Sequence, residues 1–141
     1  MKSVLLTVAG AVGSFIAGAL GGWDTAIITL STFMAIDYLT GWMLAAVFKK
    51  SHKTASGGYS SAIGLKGLCK KVVILLLVMV ANLLDKQTGA NFARDGVCVA
   101  FMINEAMSII ENAGLMGIPI PQPIKNALDI LNGKQEDQSN G

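Results

Sequence analysis

The 141-residue sequence is short of charge: Asp, Glu, Lys and Arg make up 14% of it, where a soluble domain of average composition carries roughly 25%. Residues 3–22 contain no formal charge, and between Thr25 and Phe48 the single charged side chain is Asp37. Cysteine is scarce too. Cys69 and Cys98 stand alone in apolar surroundings, with no CxxC pair and no Cys/His cluster, so neither a metal site nor a disulfide framework is indicated. The one histidine, His52, sits in a loop rich in Gly, Ser and Lys. No nucleophile–base pair is visible, and "GGYSSAIGLKG" lacks the Gly-Lys-Ser/Thr element of a phosphate loop. No catalytic, cofactor-binding or metal-binding residue is therefore assigned, and no cofactor is expected. A net charge of +2 is too small to argue for nucleic acid.

What is present is apolar sequence in long runs: 52% hydrophobic residues and a mean hydropathy of +0.57. Six of the eleven basic residues are gathered between Lys49 and Lys71. Uncharged runs separated by basic punctuation point to lipid as the solvent. The first run, Ser3 to Gly22, is long enough as a helix to cross roughly 30 Å of hydrocarbon. It also resembles a secretory signal in its single Lys and small residues, but the run is long for one. Gly10, Ser14, Gly18 and Gly22 recur every four residues, beside a second row of Ala9, Gly13, Ala17 and Gly21. Such a strip lets another helix backbone approach closely, within the chain or between copies.

"GGWDT" separates this run from the second, Thr25 to Phe48, so the two helices are expected to be antiparallel neighbours, with Trp23 and Trp42 near interfaces. The third run, 72–84, is short for a span and lengthens backwards through Leu65 to Lys71 if Lys66, Lys70 and Lys71 snorkel to the head groups. The fourth, 96–112, is the least hydrophobic. At helical spacing Asp95, Cys98, Met102, Glu105, Ser108 and Asn112 share one side, which must face helices or water, or else the helix lies on the membrane surface. "GIPIP" reads as a stiff extended connector. Pro123 suits the first turn of a short amphipathic helix, and Gly133 suits its end.

The expected fold is an all-α integral membrane protein of three to four transmembrane helices plus a short C-terminal amphipathic helix. Residues 1–121 form the transmembrane domain, 122–133 the amphipathic helix, and 134–141 a disordered polar tail. The lysines place loop 49–71 in the cytoplasm. With four spans both termini are cytoplasmic as well.

A carboxylate at mid-bilayer costs roughly 2.5–3.5 kcal/mol on insertion scales, so Asp37 and Glu105 each need a partner, a water-filled surface or a proton. No Lys or Arg lies in the middle of another run, which argues against a simple buried ion pair within one chain. Ser31, Thr40, Asn104 and Ser108 are available hydrogen-bonding partners. Three roles stay open for Asp37: joining helices, lining a pore or switching assembly state, and coupling to protons or ions.

The combination of "GGWD" (21–24), "DYLTG" (37–41), "GLKGLCKK" (64–71), "NEAMSIIEN" (104–112) and "GIPIP" (117–121) resembles the toxin-secretion/phage-lysis holins, small bacteriophage proteins of the bacterial cytoplasmic membrane. The likeness covers about residues 20–131. It implies a multi-pass protein that associates with its own copies and forms timed lesions, which let an endolysin reach the wall or aid toxin release. An antiholin is a possible further partner. The resemblance carries over Asp37, Gly41, Asn104, Glu105, Ser108, Glu111 and Asn112 as family-like positions. The pore or switch candidates are then Asp37, Thr40, Asn104, Glu105, Ser108, Glu111 and Asn112. The helix-packing candidates are Gly10, Ser14, Gly18, Gly22 and Gly41. A small ion-coupled transporter and a non-pore subunit of a larger membrane complex are the competing classes.

Overall fold

The computed structural model describes the backbone of residues 1–140, and the side chains of residues 1–133 and Asp137. Five helices follow one another: α1 (Lys2–Ala19), α2 (Thr25–Ala46), α3 (Ser61–Thr88), α4 (Ala93–Leu115) and α5 (Gln122–Asn140). No strand occurs among the described residues. This is an all-α protein, and α1, α2 and α3 are each long and apolar enough to cross a membrane. α4 has the length but not the apolarity, so the count by composition is three.

The turns explain where each helix stops. α1 ends at Gly21 and Gly22, whose φ angles of 89° and 102° lie in the left-handed region that glycine enters without strain. The Gly22 amide donates to the Ala17 carbonyl at 2.8 Å, satisfying an otherwise orphaned C-terminal acceptor. Asp24 then starts α2 by accepting from the Ile27 amide. α3 ends at Gly89, also left-handed, and residues 118–121 of the proline connector carry no helix.

Two expectations are corrected. α5 continues through Gly133 to Asn140, so Gly133 lies inside the helix. A glycine there costs only about 1 kcal/mol relative to Ala, too little to stop a helix. The side chains of the expected polar tail, apart from Asp137, lie outside the described residues, as does Gly141 altogether. Gly22, expected on the helical strip of the first run, lies beyond the end of α1 at Ala19, whereas α3 lengthens back through Leu65, as expected, and on to Ser61.

α2 packs along α4, and α3 packs on α4 from another side. Leu20, Ile27, Leu30, Met34, Ile74, Val78, Cys98 and Met102 form the apolar core between them. The outside is as apolar as the inside: Val72, Val73, Leu76, Leu77, Val80 and Leu83 all project from α3 into the surroundings. Polar residues, including Asp37, Asn82, Arg94, Glu105 and Asn112, are the ones turned inward. That inversion suits lipid, which solvates Leu and Val but not an amide or carboxylate. α1 stands apart. None of its residues is buried, and it meets the bundle only through α3 and its own C-terminal turn.

Candidate functional site

Asp37 is the thirteenth residue of α2, Lys71 the eleventh of α3, and Glu105 the thirteenth of α4. The bundle brings these three near-central positions to one point. Lys71 Nζ donates to Asp37 Oδ2 and to Glu105 Oε2, both at 2.7 Å. The side chains are 14%, 10% and 5% exposed respectively, so the two carboxylates share one ammonium largely out of solvent. Asn112 extends the network from α4: its Nδ2 donates to Asp37 Oδ1 at 3.3 Å and to Thr40 Oγ1 at 3.0 Å. Thr40 in turn donates to the Asp37 carbonyl. Each of α2, α3 and α4 thus supplies one charged group, and the two carboxylates share the single ammonium of Lys71.

The expectation that no ion pair would form within one chain is overturned. Lys71 does not snorkel; Lys66 and Lys70 are exposed, while Lys71 turns inward. The signal was present in the spacing. Gly64, Gly67, Lys71, Ile74, Val78, Ala81 and Asp85 recur every three or four residues, which is one stripe of a helix. Lys71 belongs to the stripe that packs. The two glycines above it allow α2 to approach: Tyr38 Oη donates to the Gly64 carbonyl, and a Cβ on Gly64 would stand 3.4 Å from that hydroxyl.

Of the sequence candidates, Asp37, Thr40, Glu105 and Asn112 therefore form one network. Ser108 lines a cavity of about 280 Å³ beside it. Asn104 and Glu111 are exposed side chains on the walls of the same cavity and make no hydrogen bond to the network. A Cβ on Gly41 would stand 3.7 Å from Asn112 Nδ2, in ordinary van der Waals contact with the network. The remaining packing candidates behave differently. A Cβ at Gly10, Gly18 or Gly22 would meet nothing within 4 Å, and Ser14 is exposed. Among the described residues this strip has no partner.

A second cluster, absent from the candidates, lies at the other end of the bundle. Arg94 donates from Nη1 and Nη2 to the two oxygens of Asp24, both at 2.9 Å, in the bidentate geometry that suits a guanidinium. Its Nε donates to the Leu20 carbonyl, and Nη1 also reaches Asp95 at 3.3 Å. Asp85, from the end of α3, accepts from the amides of Ala93 and Arg94 and so caps α4 from outside. Asn82 donates to the Ala19 carbonyl. The Arg94 guanidinium holds the Asp24 carboxyl below its ordinary value, chiefly through these hydrogen bonds. Gly21 has to be small here, because a Cβ would stand 2.5 Å from Arg94 Nε and 2.6 Å from Asn82 Oδ1.

Nothing in either cluster constitutes a catalytic set, and no group of His, Cys, Asp and Glu among the described residues is arranged to hold a metal. What the first cluster can do is hold three helices by charge in a lipid setting, where an unpaired carboxylate or ammonium is costly.

Proteins of similar sequence are known but uncharacterized. A 14.9 kDa protein from the nagH 3′ region of Clostridium perfringens is 36% identical over 125 residues, which is 87% of this chain and 89% of that protein. One from Halalkalibacterium halodurans is 32% identical over 142 residues, covering 96% and 98% of the two chains. One from Listeria innocua is 33% identical over 130 residues, covering 92% and 85%. No solved structure matches. The family model that matches is that of the bacteriophage holins, over residues 14–133, a span that takes in both charge clusters and the proline connector. Apolar helices wrapped around inward polar faces are what such a multi-pass protein of the cytoplasmic membrane requires, and the chain belongs to the bacteriophage holin family.

Proposed function

We propose that this chain accumulates in the bacterial cytoplasmic membrane, associates with its own copies and opens lesions at a set time, letting an endolysin or toxin out and leading to lysis of the host cell. It does so without catalysis. Loop 49–71 faces the cytoplasm in this reading, as its six basic residues favour. An endolysin acts downstream without needing direct contact, and an antiholin would act on timing.

The observation that carries the proposal, beyond family membership, is the Lys71 clamp. Three helices hide their polar faces from lipid by pairing Asp37, Lys71 and Glu105 within one chain. The same faces can line water once copies associate, because hydrated charges no longer need one another. Asp37, Thr40, Glu105 and Asn112 are therefore the switch residues, with Ser108, Asn104 and Glu111 beside them. The small residues Gly10, Ser14 and Gly18 on α1, with Gly22 in the turn beyond it, offer a close-approach surface for a second copy.

The test is to induce the protein in bacteria with and without a signal-less peptidoglycan hydrolase, following membrane potential and culture density. Abrupt depolarisation in both cultures, with rapid lysis only where the hydrolase is present, is the expected result. Retained potential despite confirmed insertion would move the function to a transporter or a complex subunit. Asp37→Asn should insert normally and shift the time of lysis, since it removes one of the two carboxylates that hold Lys71. Unchanged timing would remove Asp37 from the switch.

A further inference from the structure

The cavity beside the Lys71 cluster reaches from the loop to the middle of the bundle. Its outer rim is formed by residues 51–54 and 58–60 of the α2–α3 loop, and its deep end by Asp37, Lys71, Ile74 and Glu105. From Ala46, the end of α2, back to Asp37 is nine residues, roughly 14 Å at 1.5 Å per residue, close to half of a hydrocarbon layer about 30 Å thick. Beyond that depth the bundle is closed by Leu30, Val78 and Cys98, all buried in the apolar core.

We infer that the single chain contains a water-filled vestibule, open only on the side of the loop, that brings bulk solvent to the edge of the mid-membrane charge cluster, whose own side chains stay 5–14% exposed. Three observations converge on water as the occupant. The volume of about 280 Å³ holds on the order of ten water molecules at ~30 Å³ each. The walls carry Asp37, Glu105 and Glu111 against Lys53, Lys70 and Lys71, a balanced set that solvates water well and selects neither cations nor anions. The third is the deep end itself. Lys71 spends two of its three hydrogens on carboxylates, and water in the cavity lowers the cost of placing that cluster in the bilayer. The vestibule belongs to the unassociated chain and stands whether or not lesions form. If they do, it is the half of the path that needs no rearrangement.

The test is cysteine labelling of the full chain in a Cys69→Ala background that keeps Cys98, each variant adding one probe cysteine, with a charged, membrane-impermeant methanethiosulfonate. Right-side-out and inverted vesicles are compared while the membrane potential is intact, so that the result is independent of lesion formation. Ser56→Cys reports which face carries the loop, Leu76→Cys reports the exposed apolar surface of α3, and native Cys98 reports the closed core. Ser108→Cys, one turn from Glu105, and Gly67→Cys on the opposite wall probe the vestibule. Both should react in the same vesicle orientation as Ser56→Cys, and at least about tenfold faster than Leu76→Cys, because the reactive thiolate forms only where water solvates it. Cys98 should stay silent. The vestibule is overturned if both probes are as slow as Leu76→Cys while Ser56→Cys labels fully. Equal labelling from both faces overturns the closed end. If one probe position prevents insertion, the other decides.

Discussion

The two charge clusters hold the same bundle together in different ways. Arg94 grips a carboxylate that is half in solvent, with Asp24 51% exposed, and spends its other donors on the Leu20 and Gly22 carbonyls. Lys71 grips two carboxylates that are nearly out of solvent and touches no backbone. The first cluster fixes the path of the chain where α1 turns into α2. The second fixes only the mutual position of α2, α3 and α4, and its hold on α3 rests on the charge of Lys71. A joint built on backbone carbonyls survives changes in its charges. A clamp built on side-chain charge alone fails when any one charge is lost, which is the property a switch needs.

Removing the central cation should produce the largest effect. Lys71→Met leaves Asp37 and Glu105 buried without a counter-charge and should cost roughly 3–5 kcal/mol, read by denaturant titration in detergent micelles. Adding Asp37→Asn and Glu105→Gln to it should restore most of the loss. A single variant as stable as the parent would mean the clamp contributes no cohesion.

At the other end the guanidinium fork is the vulnerable feature. Arg94→Lys keeps the charge but forfeits the bidentate pair and the hold on Leu20, and should cost about 2 kcal/mol. Spin labels at Val12 and Glu111 should report a broadened distance, while labels at Trp42 and Glu111 should not. Broadening of both pairs would erase the distinction between the clusters. Gly21→Ala forces a side chain into a left-handed backbone against Arg94 and should cost about 1–2 kcal/mol. Gly18→Ala, with open space around it, should be neutral or slightly stabilising in the same melts.

The smallest effect is the titration of Asp24. Its carboxyl is lowered by Arg94 in the folded chain, so the stability it adds is complete above the unfolded value and fades as pH falls through the folded one. With the side chain half exposed, solvent screening limits this to below about 1 kcal/mol. Asp24→Asn should flatten the acid side of the stability profile by that amount. A profile unchanged by the substitution would show that the backbone carbonyls, not Asp24, carry the joint.

The sequence by itself determined the solvent and the helices. Transfer of apolar side chains to lipid depends on composition, so uncharged runs identify spans without any knowledge of partners. The proline connector was legible for a similar reason, since φ restrictions are local, whereas Gly21 and Gly22 were read into the helical strip and form the turn after it. Asp37, Glu105 and Asn112 were recognisable as costly residues from their place in apolar runs. What neutralises them was not. A lysine near the start of a run can snorkel or turn inward at comparable cost, and only the register of α3 against α2 and α4 decides between the two. Arg94 and Asp24 are 70 residues apart, and Asp85, Lys86 and Asp95 beside Arg94 in sequence leave no local excess of charge to mark it. Gly133 failed as a stop because a single glycine outweighs neither its neighbours' helical preference nor an otherwise unbroken run. Charge pairing is a property of three-dimensional neighbours. The sequence stated which charges needed a partner, and the tertiary structure chose Lys71 as the one cation that two carboxylates share.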